Sequence, residues 1–239
     1  MVKFKQDFDY FWSMIYKKEN FTFARYADGE VLLMKGKSVG SGTQASNVDK
    51  WTAPNHLTIV GASLLQTLNH TEPNYYYAIS GKNDNLDDYN FLHSKIQQSE
   101  DKLTFVNLWI NANYHVMKSK LASIDRDVVL ICNEKAKPEN FPFKVIEHFK
   151  FKNDCINYWE QHGDEYLKNL ITETNKYKDM LFLISCGPVS EIIIHSLYTM
   201  NPNNTYIDVG SSIDELVHGE ITRPYMYQNS YFANLISTF

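Results

Sequence analysis

Apolar side chains recur at three- and four-residue steps over residues 4–18, where Phe4, Phe8, Phe11, Trp12, Ile15 and Tyr16 fall on one side. That period predicts an amphipathic helix. Phe21–Tyr26 then reads as a short strand. Asp28-Gly29-Glu30 follows at once, and Val31–Lys35 reads as a helical turn opened by those carboxylates. Residues 36–50 are rich in Gly, Ser and Asn and read as loop. Pro54–Leu68, with Leu57, Val60, Leu64, Leu65 and Leu68, predicts a helix with a proline near its start. Asn74–Ser80 predicts a strand, Leu86–Gln98 a helix, Leu103–Trp109 a strand and Ala112–Leu121 a helix.

The second half is patterned more sharply. Asp127–Cys132 is a β-branched apolar run of the kind buried on both faces of a parallel sheet. Phe143–Phe149 is a further strand candidate, and Cys155–Lys176 has the period of a long amphipathic helix. Met180–Ser185 predicts a buried strand, Gly187-Pro188 a tight turn, Val189–Met200 a helix and Thr205–Val209 the last strand. From Gly210 onward the chain reads as loop and short helix. Alternating strands and helices predict an α/β fold with a Rossmann-like, mostly parallel sheet flanked by helices. No repeat or linker divides the chain, so residues 1–239 read as one domain.

Composition narrows the function classes. The 239 residues carry 23 basic and 28 acidic side chains, a net charge of −5, and lack any dense Lys/Arg run, which argues against nucleic acid as a partner. With 44% hydrophobic residues the chain can bury an ordinary core. The 16 Tyr, 14 Phe and 4 Trp are read first as core and skin. Three cysteines (Cys132, Cys155, Cys186) without a C-x-x-C pair point to a reducing compartment rather than a disulfide framework. No apolar run reaches the length of a membrane span, and Met1–Tyr16 is amphipathic and of mixed charge, unlike a signal peptide. The expected setting is the cytoplasm, at most peripheral to a membrane; a homo-oligomer is left open.

Three segments concentrate chemistry. In the first, Arg25 closes a strand and Asp28 and Glu30 follow. Two carboxylates at such a turn can converge on a hard cation, with Arg25 as a phosphate clamp beside it; helix capping would select the same acids. In the second, Ile184–Glu191 contains the Cys186-Gly187-Pro188 turn, which opens a helix at the carboxyl edge of the sheet, where open α/β sheets bind ligands. An ordinary strand-to-helix turn looks alike, and Cys186 reads as a small filler. In the third, Asp208 ends a strand, Gly210-Ser211-Ser212 follow, and then come Asp214, His218 and Arg223. They supply a metal ligand or general base and a second phosphate clamp; a solvated loop is the alternative. Asn107, Trp109, Asn111, Asn113 and Tyr114 could grip a base or sugar, or simply form a turn. The remaining histidines show no metal-binding spacing and read as surface or packed residues.

Taken together, R-Y-A-D-G-E at 25–30, C-G-P at 186–188 and Y-I-D-V-G at 206–210 resemble the bacterial glycosyltransferases of the GT-D fold, a family first described as a domain of unknown function. The resemblance spans roughly residues 20–225. It implies sugar transfer from a nucleotide sugar, typically a UDP-sugar, to a lipid- or protein-linked glycan acceptor in glycoprotein or surface-polysaccharide synthesis. It further implies a divalent cation, Mn²⁺ or Mg²⁺, and donor diphosphate at Asp28 and Glu30 with Arg25 beside them, and a donor-lining turn at Cys186, Gly187 and Pro188. Asp208 and Gly210 carry the Asp-x-Gly segment. Ala27 replaces the family's usual glycine, and the segment after Gly210 departs from the usual offsets, so Asp214 and His218 both stand as the base. Arg223 is assigned to phosphate. This joint site requires Asp28 and Arg223 to share one side of the domain. Two other readings are a SAM-dependent methyltransferase, from the loose likeness of Y-I-D-V-G-S-S to a D-x-G-x-G loop, and a non-catalytic sugar-binding protein.

Overall fold

The computed structural model describes residues 3–39 and 58–239. Its strands are β1 (Thr22–Arg25), β2 (Tyr75–Ile79), β3 (Leu103–Phe105), β4 (Val128–Asn133), β5 (Val145–Phe151), β6 (Leu181–Ser185) and β7 (Thr205–Asp208). They form one seven-stranded sheet in the order β3-β2-β1-β7-β6-β4-β5, and every neighbouring pair is parallel. The helices are α1 (Lys3–Tyr16), α2 (Asp28–Met34), α3 (Ile59–Gln66), α4 (Leu86–His93), α5 (Tyr114–Leu121), α6 (Cys155–Thr174), α7 (Ser190–Met200) and α8 (Asp214–His218).

Alternate residues of the inner strands feed two separate cores. Tyr75, Tyr77 and Ile79 of β2, Val129 and Ile131 of β4, and Phe182 and Ile184 of β6 face the layer of α3, α6 and α7. Tyr76 and Ala78, Val128 and Leu130, and Leu181 and Leu183 face the layer that contains α1 and α5. Both faces are covered, and this is why these strands are apolar at every position rather than at every second one. The aromatic surplus is largely core. Phe11 of α1 meets Phe23, Tyr76 and Phe21 at ring separations of 5.0, 5.0 and 5.4 Å.

Several element boundaries differ from the sequence pattern. The Leu103–Trp109 run pairs only through Phe105, because β3 is an edge strand. Leu108 and Trp109 are apolar because they turn back under α1, and they lie buried in its core. A single 3₁₀ turn at Asn111–Asn113 precedes α5. β5 begins two residues later than its apolar pattern suggests. α3 begins at Ile59 with the Thr58 hydroxyl accepting the Gly61 N–H; the proposed start at Pro54 and the loop from residue 40 onward lie outside the described residues. Away from the carboxyl edge, His70 and His195 are packed as expected: His70 stacks on Tyr75 and its Nε2 lies 2.7 Å from His195 Nδ1.

Candidate functional site

β1 and β7 are neighbours at the middle of the sheet, so the turns that follow them leave the carboxyl edge side by side. Arg25, the last residue of β1, directs its Nε to Asp208 Oδ2 at 3.0 Å. Asp208, the last residue of β7, uses its other oxygen to accept the Gly210 N–H at 2.7 Å. The guanidinium lies flat against Gly210, where an added Cβ would fall 2.5 Å from Arg25 Nη2; the residue's φ of +48° also favours glycine. The Gly210 carbonyl accepts the Ser185 hydroxyl at 2.9 Å, which ties the third segment to the end of β6. Gly29, between Asp28 and Glu30, packs on Pro188, with 3.6 Å from its notional Cβ to Pro188 Cγ. The three motifs, distant in sequence, therefore meet at one edge.

This edge carries more acid than base. Burial works against the Arg25 charge, but Asp208, Glu30 and Glu191 outweigh it and hold the guanidinium's pKa above its ordinary value. Glu30 is 3% exposed, and burial pushes its carboxyl up to about 7 against the pull of Arg25. Its Oε2 accepts the Ala27 N–H at 2.7 Å, half of a capping box. Asp28 lies exposed at the surface.

Glu191 is the residue that sequence reading passed over. It is fully buried in the first turn of α7; Oε1 accepts the Arg25 backbone N–H at 3.2 Å, and Oε2 receives no donor. Burial, with Asp208 and Glu30 nearby, drives its carboxyl well above the usual range. A proton retained there has Asp208 as its acceptor. A signal did exist: Glu191, Ile194 and Tyr198 share the buried face of α7, where an acid is out of place.

The Gly187-Pro188 turn is built tightly. Gly187 has φ +57°, and its notional Cβ would meet Cys155 Sγ at 2.9 Å. The Cys186 N–H donates to Ser190 Oγ at 2.9 Å, and burial pushes the Cys186 thiol up, away from thiolate, as suits a packing residue.

The third segment continues into α8. Asp214 is its first residue, and its side chain is 14% exposed; Oδ2 accepts from Thr222 Oγ1 at 3.1 Å and Arg223 Nε at 3.3 Å. Burial raises the Asp214 carboxyl, against the pull of Arg223, Thr222 and His218. His218 ends α8 exposed, beside the left-handed Gly219. Tyr225 bonds Ser211 and lies within electrostatic reach of Asp214, Arg223 and Arg25 together. Through Tyr225 the Arg223 segment is tied to Ser211, in the turn that follows β7. Asn111 and Asn113 are buried; Asn113 bonds Lys5 and the Leu108 carbonyl, which makes this stretch a packed turn.

Among the described residues, no three His, Cys, Asp or Glu side chains converge as a metal site. The chemistry still suits a hard cation. Mg²⁺-type sites commonly use one or two carboxylates with substrate phosphates completing the shell. Asp28 is the exposed carboxylate of this turn, whereas Glu30 is buried against the Ala27 N–H.

No protein-family model matches the chain, and no curated protein matches its sequence. Two solved structures do match in three dimensions. One is a selenomethionine-substituted domain of unknown function 1792, with TM-score 0.59 and 14% identity over 95% of this chain and 87% of that chain. The other is domain of unknown function 1792 described as having a distinct glycosyltransferase fold, with TM-score 0.58 and 16% identity over 95% of this chain and 88% of that chain. At these identities the similarity is one of fold. It extends along nearly the whole chain: this chain has the distinct glycosyltransferase fold of domain of unknown function 1792.

Proposed function

We propose that this protein is a glycosyltransferase that moves a sugar from a nucleotide-sugar donor, a UDP-sugar first, to a glycan acceptor of glycoprotein or surface-polysaccharide synthesis. The observation that carries the reading is the meeting of the three turns at the carboxyl edge, with Arg25 held between Asp208 and Gly210 and Gly29 against Pro188. Among the described residues no helix is long and apolar enough to cross a membrane, and a cytoplasmic setting belongs to the same proposal.

In this reading the donor diphosphate lies across the Gly187-Pro188 turn and is met by Arg25 and Arg223. Asp28 and Glu30 would hold Mn²⁺ or Mg²⁺. The cation's part is to neutralise charge on the departing diphosphate. During transfer the acceptor hydroxyl oxygen bonds to the anomeric carbon, the bond from that carbon to the diphosphate oxygen breaks, and the hydroxyl proton passes to a base. Asp214 suits this role better than His218 because its carboxyl is raised by burial and oriented by Thr222 and Arg223. Asp208 and Glu191 act from below, through Arg25. Release of nucleoside diphosphate from UDP-sugars tests the proposal. Turnover that needs Mn²⁺ and falls about 10²-fold in Asp28→Asn supports it. Nucleotide-sugar binding without any transfer or hydrolysis would leave a sugar-nucleotide binding protein instead.

A further inference from the structure

Beyond the carboxyl-edge site, residues 221–230 surround an open cleft of about 500 Å³, within the range of small-molecule sites. Its surface is mainly apolar, from Tyr227, Pro224 and Ile221, with the hydrogen-bonding groups of Thr222, Arg223, Asn229 and Ser230 set among them. Tyr227 is 57% exposed, so its ring is held out to solvent rather than packed. An exposed aromatic ring ringed by amide, hydroxyl and guanidinium groups suits a pyranose, whose C–H face lies on the ring while its hydroxyls reach the rim. It suits a polyanion poorly. A polyanion would want a basic surface, yet the cleft's Arg223 is already paired with Asp214 and the chain is acidic.

The cleft also leads somewhere. Thr222 and Arg223 line it, and both donate to Asp214 Oδ2. Tyr225, next in the chain but one, bonds Ser211 in the turn that follows Asp208. The cleft therefore adjoins the two side chains that orient the Asp214 carboxyl.

We propose that this cleft is the acceptor subsite and takes a neutral, hydroxyl-rich saccharide, with Tyr227 as its stacking platform and Asn229 and Ser230 reading its hydroxyls. Its role as acceptor site rests on the transferase reading; its ability to bind a saccharide does not. The experiment is saturation-transfer NMR with cellobiose, maltose, lactose and N,N′-diacetylchitobiose on the wild type, Tyr227→Ala and Tyr231→Ala, with a UDP–Mn²⁺ thermal shift on each. Tyr231 is 74% exposed but lies outside the lining and serves as the matched control.

The expected result is saturation transfer to at least one disaccharide. That signal drops at least fivefold in Tyr227→Ala and is unchanged in Tyr231→Ala, and all three proteins give the same UDP–Mn²⁺ shift. No transfer to any of the four sugars overturns the proposal, as does an equal signal in Tyr227→Ala. A Tyr227-dependent sugar signal in a protein that ignores UDP, GDP and CMP with Mn²⁺ keeps the cleft as a saccharide site and sinks the transferase reading alone.

Discussion

Arg25 Nε and Asp208 Oδ2 lie 3.0 Å apart across adjacent strands, although 183 positions separate them in the chain. Among the described residues, Arg25 is the one cation in a buried group with Asp208, Glu30 and Glu191. Removing it leaves buried acid without a counter-charge, a loss that costs about 3–5 kcal/mol in comparable pairs. Arg25→Ala is expected to unfold at markedly lower urea. Arg25→Lys should regain part of that stability but little nucleotide affinity, because an ammonium cannot reproduce the planar fork that Gly210 cradles. Urea titration and UDP binding, measured on both variants, check this.

Gly210→Ala separates site geometry from site charge. Its Cβ would sit 2.5 Å from Nη2, 2.6 Å from Cζ and 2.8 Å from Nε of Arg25, on a backbone of φ +48°. The fold should lose about 1–3 kcal/mol. The guanidinium must leave Asp208, so nucleotide binding should fall further than the lost stability accounts for. A variant with normal UDP affinity would show that Arg25 does not need this seat.

Glu30 makes stability depend on pH. Its carboxyl is pushed up to about 7 from an ordinary 4.5, so the folded state holds the proton more tightly than the unfolded chain. The stability it gives is complete below pH 4.5 and is lost as pH rises through 7. Glu30→Gln keeps an acceptor for the Ala27 N–H and removes the titration. The wild type should therefore lose about 1–3 kcal/mol relative to Glu30→Gln between pH 5 and 8. Thermal melts of both proteins across that range measure the difference. Saturating Mn²⁺ should shrink it.

Asp28→Asn and Asp214→Asn should fail in different ways. Asp28 is exposed, so its substitution should leave stability within about 0.5 kcal/mol while abolishing the Mn²⁺ requirement along with most turnover. Asp214 is oriented by Thr222 and Arg223 and its carboxyl is raised by burial, so if it is the base, the acid limb of kcat/KM should lie above the usual aspartate range. Asp214→Asn should lower kcat by about 10²–10⁴-fold and remove that limb. A pH profile retained in Asp214→Asn but lost in His218→Ala would transfer the role to the histidine.

Much of the fold is legible because burial on both faces leaves an unbroken apolar signature. β4, β6 and β7 and the helices α6 and α7 stand where the pattern puts them, within a few residues. The pattern misleads where burial and pairing part company. Leu108 and Trp109 are apolar because α1 covers them, not because they belong to β3. At the site, Arg25, Asp208 and the two turns can be named from the chain alone, since each ends a strand. Their pairing cannot, because it depends on β7 inserting beside β1. Glu191 hides for the same reason. Its partners come from the ends of other strands, and only its misplaced charge on an apolar helix face gives it away. The cleft at 221–230 has no periodic signature, being loop and 3₁₀ turn throughout.

The most direct measurement is UDP binding to the intact chain by calorimetry, with and without Mn²⁺, alongside GDP and CMP. The account expects one nucleotide to bind in a Mn²⁺-dependent way and to raise stability by about 2–4 kcal/mol at large excess over Kd. It also expects that binding to be lost in Arg25→Lys. No response to any of the three nucleotides, or binding that survives Arg25→Lys unchanged, would contradict a donor site at the Arg25–Asp208 edge.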